Sequence, residues 1–536
     1  MEDGPTAPHS SEAGTLDKPD TAAAGSGSHR QYRTRRWQLP GAWPLLAVLV
    51  VQAVLSLRLV RADTAFQDEA LYLWAGHREI AHLLHGVPIP PFAAYFSGAP
   101  VIYPPLGALS DSVGGLAGAR ILSLVFMLGA TVLLWSVGRM LYGRVAAFFS
   151  AALFAVLGPT LHLGAFATFD AMSVFLLALA AWLVVRAGDR RDATGWMIAA
   201  GVVLALANAT SYSTAVFDII VIALALVTAL PRPGGKLAAA RCMVLLAVVV
   251  VLLSAGLLIG GSYYLTGVGQ TTFERVPGAA SPLTVLTDAW LWTGLVILLA
   301  AFGVVVSLLS REGRARTWTL VILGCAALLG PLEQAHLRTA ASLNKHVGHG
   351  VWFAAIAAGY AIDRFVAGAP AGRMRAITCG ACVVALLFPA TLGISQSRTF
   401  SSDWPNASSL ISVLRPLVSH GNGRLLVEDP SIAEYYLKAG DEWQRWSSTR
   451  NIVTPSGKST GGPSKAAGVV GPGNVGEFTV FILKHYFSII ALNYADTTTL
   501  DLKITADLKA DPHYRRIRVV PYGPARGTYI IWQYRP

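Results

Sequence analysis

Long apolar runs, separated by short basic clusters, repeat along most of the chain. An apolar run of about 18 residues or more is long enough to cross a hydrocarbon core of about 30 Å as one α-helix. The chain has 536 residues and is 54% hydrophobic but only 13% charged, whereas roughly a quarter of a soluble domain is charged. The runs predict eleven membrane spans, near residues 41–60, 115–138, 145–162, 169–187, 195–208, 212–230, 242–262, 288–309, 317–332, 350–368 and 375–394.

The basic clusters orient these predicted spans. Arginine and lysine are enriched in the cytoplasmic loops of membrane proteins, and with eleven spans every basic cluster between spans falls on the same side. This count places the N-terminus in the cytoplasm and the C-terminal region outside it, in a multi-pass protein of the cell membrane. The formal net charge of +12 is then a signal of topology, and no nucleic-acid partner is expected.

The composition changes at both ends of the predicted membrane domain, which covers residues 37–394 and includes a long external loop over 61–114. Residues 1–36 lack apolar periodicity and are rich in small and turn-forming residues, which predicts a disordered cytoplasmic tail. Residues 395–536 carry more charge, which predicts a small extracytoplasmic α/β domain. Its predicted elements are a strand from 424 that ends in a turn at 429–430, a helix over 431–438, strands over 478–483, 516–520 and 529–532, and a flexible loop over 456–476.

An acidic pair, Asp68-Glu69, lies in the long loop shortly after the first span. Asp68 opens a stretch with apolar residues at helical spacing, so we expect it at a helix N-terminus, where the helix dipole stabilises the ionised form. An ionised carboxylate is what a catalytic base needs, although an acid at this position also serves as a simple helix cap. Further along, the same loop contains an aromatic-Pro-Pro turn, Ile102-Tyr103-Pro104-Pro105-Leu106.

A second acidic candidate, Asp170, lies at the predicted outer end of a span. A charged side chain costs roughly 2.5–3.5 kcal/mol at the centre of a membrane helix and less near the surface, so such a residue usually has a function or a partner. We therefore treat Asp170 as an active-site candidate, with a helix cap as the alternative. His162 and Tyr103 are candidate neighbours, although His162 alone is more typical of an interfacial histidine without a role.

The loop over 333–349 contains two fixed positive charges, Arg338 and Lys345, and three histidines, including His336 and His346. Such cations suit the phosphate or pyrophosphate of a lipid at the membrane surface. A solvated loop or an anchor for lipid headgroups is the alternative. A divalent metal, held by the acidic pair together with His336 or His346, is a further hypothesis, but the spacing matches no established ligand motif.

The chain resembles the GT-C class of membrane glycosyltransferases in three features: the acidic pair after the first span, the Tyr-Pro-Pro-Leu turn and the later acid. The resemblance is to the protein mannosyltransferases of glycosyltransferase family 39 and to the enzymes that transfer aminoarabinose to lipid A. It covers roughly residues 41–395 and implies a GT-C fold, transfer with inversion and, in some relatives, a divalent ion. The residues that it places at the site are Asp68, Glu69 and Asp170 for catalysis, Arg338, Lys345 and His346 for the donor phosphate, and Tyr103, Pro104 and Pro105 for positioning the loop.

One position departs from this pattern. The aminoarabinose enzymes have a lysine just before the Pro-Pro turn, where this chain has Tyr103. The contact of the first loop with the donor phosphate is therefore expected to move to the 333–349 loop or to Arg61.

The resemblance implies an enzyme that moves a sugar, mannose or a related pentose, from a polyprenyl phosphate to an acceptor outside the cytoplasm. The acceptor classes left open are a secreted protein, a cell-wall glycan, a lipid and a secreted natural product. A transporter or flippase of a lipid-linked sugar is the alternative from another class. A transporter of this kind is expected to have charged residues at mid-membrane and broken helices in related halves. The acids of this chain lie instead at the ends of predicted spans. A non-catalytic scaffold leaves these acids unexplained.

Overall fold

The structure, a computed structural model, describes residues 42–536 except 189, 231–234, 274–276, 420–422, 438–442, 451, 453–474, 496 and 524–526. The predicted tail over 1–36 and nearly all of the predicted loop over 456–476 lie outside the described residues. The described chain is mostly helical up to Ser402. A helix satisfies the backbone groups of an apolar run within the run itself, as a lipid environment requires.

The helical region follows the order of the apolar runs. Its helices are α1 (Trp43–Leu57), α2 (Gln67–His85), α3 (Tyr103–Tyr142), α4 (Arg144–Val156), α5 (Gly158–Leu163), α6 (Phe169–Ala187), α7 (Thr194–Thr210), α8 (Asp218–Ala229), α9 (Gly235–Val268), α10 (Pro282–Leu309), α11 (Arg314–His336), α12 (Leu343–Gly368), α13 (Arg373–Ala385) and α14 (Leu387–Ser402). Among the described residues, eight helical segments are long and apolar enough to cross a membrane. The other three predicted spans coincide with the shorter apolar helices α1, α4 and α7. The predicted polytopic helical fold is confirmed, whereas the side on which each end lies stays a prediction.

The long loop after α1 is itself largely helical. It contains α2, a short 3-10 turn at Phe92–Ala94 and the first part of α3. α3 changes direction at Gly115, where φ is 61° and ψ is −161°, a conformation that residues with a Cβ rarely adopt. The first part of α3 therefore belongs to the loop, and the predicted span near 115–138 begins where the helix bends.

α12 lies at the centre of the helical region and packs closely against its neighbours. An added Cβ at Gly350 would lie 2.3 Å from the carbonyl oxygen of Ala326 on α11. At Gly359 it would lie 2.4 Å from the carbonyl oxygen of Ala146 on α4. Small residues allow helices in membrane proteins to approach this closely. The side chains in the first turns of α12 are therefore held by a tightly packed helix.

The C-terminal domain has a mixed five-stranded sheet with the order β2-β1-β3-β5-β4. Its elements are α15 (Ser408–Ser419), β1 (Arg424–Val427), α16 (Ser431–Leu437), β2 (Trp446–Ser447), α17 (Val475–Leu483), β3 (Phe487–Leu492), α18 (Thr498–Ala510), β4 (Tyr514–Pro521) and β5 (Thr528–Tyr534). β1 pairs in parallel with β2 and β3, while β5 pairs antiparallel with β3 and β4. The predicted α/β fold is confirmed, and β1, α16, β4 and β5 lie where the sequence predicts them. Its place outside the cytoplasm stays a prediction.

The predicted strand over 478–483 is wrong, because these residues form the second part of α17. The run is apolar and rich in β-branched and aromatic residues, which favours a strand by local propensity. The domain buries only one side of it: Phe478 and Ile482, four residues apart, are buried, while Val480 and Leu483 are exposed. The next apolar run, Phe487–Leu492, is buried almost throughout and forms the central strand β3.

Candidate active site

Glu69 is fully buried at the start of α2 and binds groups from three parts of the chain. The Phe66 backbone N–H donates to its Oε2 at 2.9 Å, which closes a capping box around the helix N-terminus. The Ala167 N–H donates to its Oε1 at 2.8 Å. Arg120 on α3 donates to both oxygens, from Nε at 2.8 Å and from Nη2 at 2.6 Å. This carboxylate therefore joins α2, α3 and the segment before α6.

Arg120 is the functional-site residue that the sequence analysis missed. Besides Glu69, its guanidinium donates to the backbone carbonyls of Val60 at 3.0 Å, Asp63 at 3.1 Å and Thr64 at 3.2 Å. It thereby fixes the chain between α1 and α2. The signal was available, because a lone arginine inside the predicted apolar span at 115–138 requires a partner.

The other acid of the pair faces a different group. Asp68 Oδ2 lies 2.7 Å from the Lys345 ammonium, and the Asp68 side chain is 29% exposed. Lys345 Nζ also lies 3.9 Å from Asp170 Oδ2, and the Asp170 side chain is only 2% exposed. The structure therefore brings three predicted site residues, from the first turns of α2, α6 and α12, into one charged cluster. We call Asp68, Asp170 and Lys345 the ionic cluster.

Neighbouring side chains hold the ionic cluster in place. The Thr168 hydroxyl donates to Asp170 Oδ2 at 2.7 Å. The Ser173 hydroxyl donates to the backbone carbonyl of Asp170 at 2.8 Å and lies 2.8 Å from His349 Nε2, one turn after Lys345 on α12. Lys345 Nζ lies 5.6 Å from the centre of the Phe166 ring, a cation–π contact. The carboxylate of Asp170 is therefore strongly constrained, while Asp68 retains solvent access.

The Tyr103-Pro104-Pro105 turn forms the start of α3, where proline suits the first helical positions. The turn packs directly on α2, because a Cβ at Gly76 would lie only 1.9 Å from the carbonyl oxygen of Pro104. Tyr103 is fully buried, in an apolar cluster shared with side chains of α2 and α6. This packing fixes α2, and hence Asp68, against the helix that follows the turn, as a positioning role requires.

The predicted basic loop does not converge on the acids as a whole. Of its two fixed cations, Lys345 pairs with the acids, whereas Arg338 is exposed and has a backbone φ of 51°. The carbonyl oxygen of Arg338 accepts a hydrogen bond from the N–H of Ala280 at 2.9 Å. His336 is exposed at the end of α11, and His346 contacts the side chain of Gln334. Arg61 is also exposed.

Two of the predicted metal ligands have other partners. Glu69 is engaged by Arg120 and by two backbone amides, and the cation beside Asp68 is the Lys345 ammonium. Within the described part of the chain, one group of His, Cys, Asp or Glu side chains places three ligand atoms within 4.8 Å of one another, and it lies in the C-terminal domain. A divalent metal at the candidate active site stays a prediction.

A small cavity lies next to the buried Glu69–Arg120 pair. Its wall includes both of these residues and the aromatic rings of Phe66, Phe166, Phe400 and Trp404. His162 lies in the same wall, buried between the rings of Phe166 at 4.6 Å and Phe400 at 5.6 Å. The ionic cluster does not line this cavity, and Phe166, which contacts the Lys345 ammonium, connects the two.

The C-terminal domain packs on the loop that carries Asp68. The Tyr435 hydroxyl on α16 donates to Asp111 Oδ1 at 2.6 Å, and His77 on α2 lies 2.7 Å from the other oxygen of Asp111. The Ala65 N–H donates to the Tyr436 hydroxyl at 2.7 Å, and the Trp404 and Phe66 rings lie 4.6 Å apart. The domain therefore contacts the first part of α3 and the segment that precedes α2.

Comparisons with known proteins agree with this architecture. The family model of the dolichyl-phosphate-mannose-protein mannosyltransferases matches residues 108–258. A comparison with curated protein sequences gives no significant match.

Solved structures of low sequence identity share the fold. The oligosaccharyltransferase AglB from the archaeon Archaeoglobus fulgidus, solved with an inhibitory peptide and a dolichol-phosphate, has a TM-score of 0.56 at 14% identity over 91% of this chain and 74% of that chain. ArnT from Cupriavidus metallidurans, bound to undecaprenyl phosphate, has a TM-score of 0.53 at 15% identity over 92% of this chain and 98% of that chain. The arabinofuranosyltransferase AftD from Mycobacteria has a TM-score of 0.50 at 15% identity over 92% of this chain and 41% of that chain.

These similarities define the fold of the chain. The chain has the GT-C fold of membrane glycosyltransferases, and the resemblance stated from the sequence is confirmed at that level. Over residues 108–258 it is specifically similar to the protein mannosyltransferases.

Proposed function

We propose that the protein is a glycosyltransferase that moves a sugar from a polyprenyl phosphate to an acceptor at the outer face of the cell membrane. The main support for the proposal is the ionic cluster. In it, the Lys345 ammonium lies between the partly exposed carboxylate of Asp68 and the buried carboxylate of Asp170. The match to a mannosyltransferase family model supports mannose as the sugar, and a pentose is the second choice. The two neighbours solved with a polyprenyl-type phosphate support the class of donor.

Asp68 is the proposed base. In the transfer, a nucleophilic hydroxyl or amide of the acceptor forms a bond to the anomeric carbon of the sugar. The bond between that carbon and the phosphate oxygen breaks, and the acceptor proton passes to a carboxylate oxygen of Asp68. General base catalysis of this kind contributes about 10²–10⁴-fold in rate. Direct attack from the face opposite the phosphate gives inversion at the anomeric carbon.

Lys345 is the proposed partner of the leaving phosphate. An ammonium has three N–H donors. In the structure one of them donates to Asp68 Oδ2 at 2.7 Å, and Asp170 Oδ2 lies 3.9 Å from the ammonium. A donor phosphate that reaches Lys345 would accept a further N–H. Asp170 then keeps the Lys345 side chain in place while Asp68 turns to the acceptor.

The proposal includes the topology of the chain, with the N-terminal tail in the cytoplasm and the C-terminal domain outside it. Under that topology the first turns of α2, α6 and α12 all lie at the outer surface of the membrane, as does the C-terminal domain. Through Tyr435 and Tyr436, that domain packs on the loop that carries Asp68. We therefore assign to this domain the surface along which the acceptor reaches the site. The sequence leaves the acceptor open among a protein, a glycan, a lipid and a natural product.

The test is sugar transfer by the purified protein in nanodiscs. Radiolabelled polyprenyl-phosphate mannose is supplied together with an extract of envelope and secreted acceptors. The wild type is compared with Asp68→Asn and with Asp192→Asn, a matched change at an exposed acid between α6 and α7. Transfer that disappears only in Asp68→Asn supports the proposal, and the labelled product identifies the acceptor class.

Two outcomes contradict the proposal. Transfer that survives Asp68→Asn removes the assigned base. A wild type that transfers neither mannose nor a pentose, yet moves the labelled lipid across a sealed vesicle membrane, replaces the enzyme with a transporter or flippase.

A further inference from the structure

The C-terminal domain brings three metal-ligating side chains together away from the ionic cluster. His485 is the second residue after α17, Asp511 follows α18, and His513 precedes β4. One ligand atom of each lies within 4.8 Å of the other two. The proposed glycosyl transfer uses none of these residues.

Asp511 already has the orientation of a ligand. Its Oδ1 accepts the His513 backbone N–H at 2.9 Å, and its Oδ2 lies 2.9 Å from His485 Nε2. Both carboxylate oxygens of Asp511 are therefore held by groups of the two histidine residues.

His485 occupies a backbone position that rarely carries a histidine. The His485 N–H bonds the carbonyl of Ile482, and the Tyr486 N–H bonds the carbonyl of Phe481. This is a Schellman pattern, in which the residue after the helix is left-handed and is usually glycine. His485 has a φ of 51°. Glycine adopts this left-handed conformation with less backbone strain, yet the chain has histidine here. The His485 imidazole faces Asp511.

Aromatic and backbone contacts fix both imidazoles before any ion arrives. The Tyr534 ring stacks on His485 at 4.7 Å and lies 6.0 Å from the His513 ring. The Arg535 N–H donates to the carbonyl of His513 at 2.8 Å. Because the ligands are held by three elements, little conformational freedom is lost when an ion binds.

We propose that His485, Asp511 and His513 form a binding site for a zinc-like transition-metal ion, with water as the fourth ligand. Two imidazoles and one carboxylate are a ligand set that zinc accepts at about 2.0–2.2 Å in tetrahedral geometry. The ion takes the place of the hydrogen bond between His485 and Asp511. It connects the ends of α17 and α18 with β4, and through Tyr534 and Arg535 with the end of β5, so its effect is to stabilise the C-terminal domain.

The experiment uses the full chain with an affinity tag that contains no histidine, after removal of metal with a chelator. Zinc binding is titrated by calorimetry, and cobalt is used as a spectroscopic probe of tetrahedral coordination. We expect the wild type to bind one zinc ion per chain and to melt at a higher temperature when zinc is added. His513→Ala and Asp511→Asn each weaken binding at least ~10-fold and remove the zinc-dependent shift. His85→Ala, a change at an exposed histidine at the end of α2, leaves both unchanged.

The site is wrong if the wild type binds no more zinc than the double variant His485→Ala/His513→Ala, or if His85→Ala weakens binding as much as His513→Ala does. Folding is checked by melting the metal-free variants. His513 is exposed, so His513→Ala decides the question even if loss of His485 destabilises the domain.

Discussion

Asp68 and Glu69 are consecutive, carry the same charge and begin the same helix. Their side chains nevertheless contact different regions of the molecule, Asp68 the start of α12 and Glu69 the helix α3. Glu69 is 0% exposed and is bound by Arg120 and by two backbone amides. Asp68 is 29% exposed, and its carboxylate binds the Lys345 ammonium. Consecutive helical residues point about 100° apart. A buried carboxylate whose oxygens are both engaged maintains structure, whereas a carboxylate that solvent can reach is available to accept a proton from an acceptor.

The largest effect is expected from neutralising the exposed acid. Asp68→Asn removes the proposed base without changing its size, so transfer should fall by about 10²–10⁴-fold, while the melting temperature changes little. Initial rates of transfer and thermal melting of the same preparation measure both. A variant that melts early and loses activity in proportion would place Asp68 with Glu69 among the structural acids.

The second largest effect is expected on stability, when the buried ion pair of Arg120 and Glu69 is broken. Arg120→Met leaves the Glu69 carboxylate buried without its guanidinium, which typically costs about 3–5 kcal/mol. We expect a large loss of melting temperature, with activity lost through unfolding. The double variant Arg120→Met/Glu69→Gln should recover part of the loss, because glutamine is uncharged and its single carbonyl oxygen still accepts one of the two amides, from Phe66 or from Ala167. A double variant no more stable than Arg120→Met contradicts this role for the pair.

The third prediction separates the two cations of the 333–349 loop. Lys345→Met should raise the KM for the polyprenyl-phosphate donor by about 10–100-fold, since charge-assisted hydrogen bonds contribute roughly 1.5–3 kcal/mol. Lys345→Arg should retain part of the binding because it keeps the charge. Arg338→Met is the matched change at an exposed cation, and its effect on KM should be small. A larger effect of Arg338→Met would move the phosphate site away from the ionic cluster.

The smallest effect concerns the other face of α2, where the C-terminal domain packs. Burial, followed by repulsion from Asp429, raises the pKa of Glu434 to about 8, although Arg78 on α2 lowers it in part. The unfolded carboxyl ionises near its ordinary value of 4.5. This contribution to stability is therefore fully present below that value and is lost as the pH rises toward the folded pKa, by at most about 1.4 kcal/mol per pH unit.

The matching variant is Glu434→Gln, which does not titrate. Its melting temperature should fall less than that of the wild type as the pH rises from about 5 to about 8. Equal slopes in the two proteins would mean that Glu434 is ionised in the folded state.

The apolar runs by themselves determined the helical region. Their length and the charge between them predicted eleven spans, because a lipid-spanning segment must satisfy its own backbone and therefore has a length that can be counted. Among the described residues, eight helical segments are long and apolar enough to cross a membrane, and the other three predicted spans coincide with shorter apolar helices. The sequence also identified Asp68, Asp170 and Lys345, since charge at the end of an apolar span is costly without a purpose. In the C-terminal domain it succeeded for β4 and β5 but failed at Phe478–Leu483, where burial on one side outweighed strand propensity.

Only the tertiary structure decided which charges meet. The sequence places Arg120 in an apolar span and Glu69 in a loop, 51 residues apart, and nothing local indicates that they pair. It places Arg338 and Lys345 in one loop as equals, whereas packing of α12 brings only Lys345 to the acids. Local patterns fix the length and direction of an element, but the partner of a side chain depends on how distant elements pack.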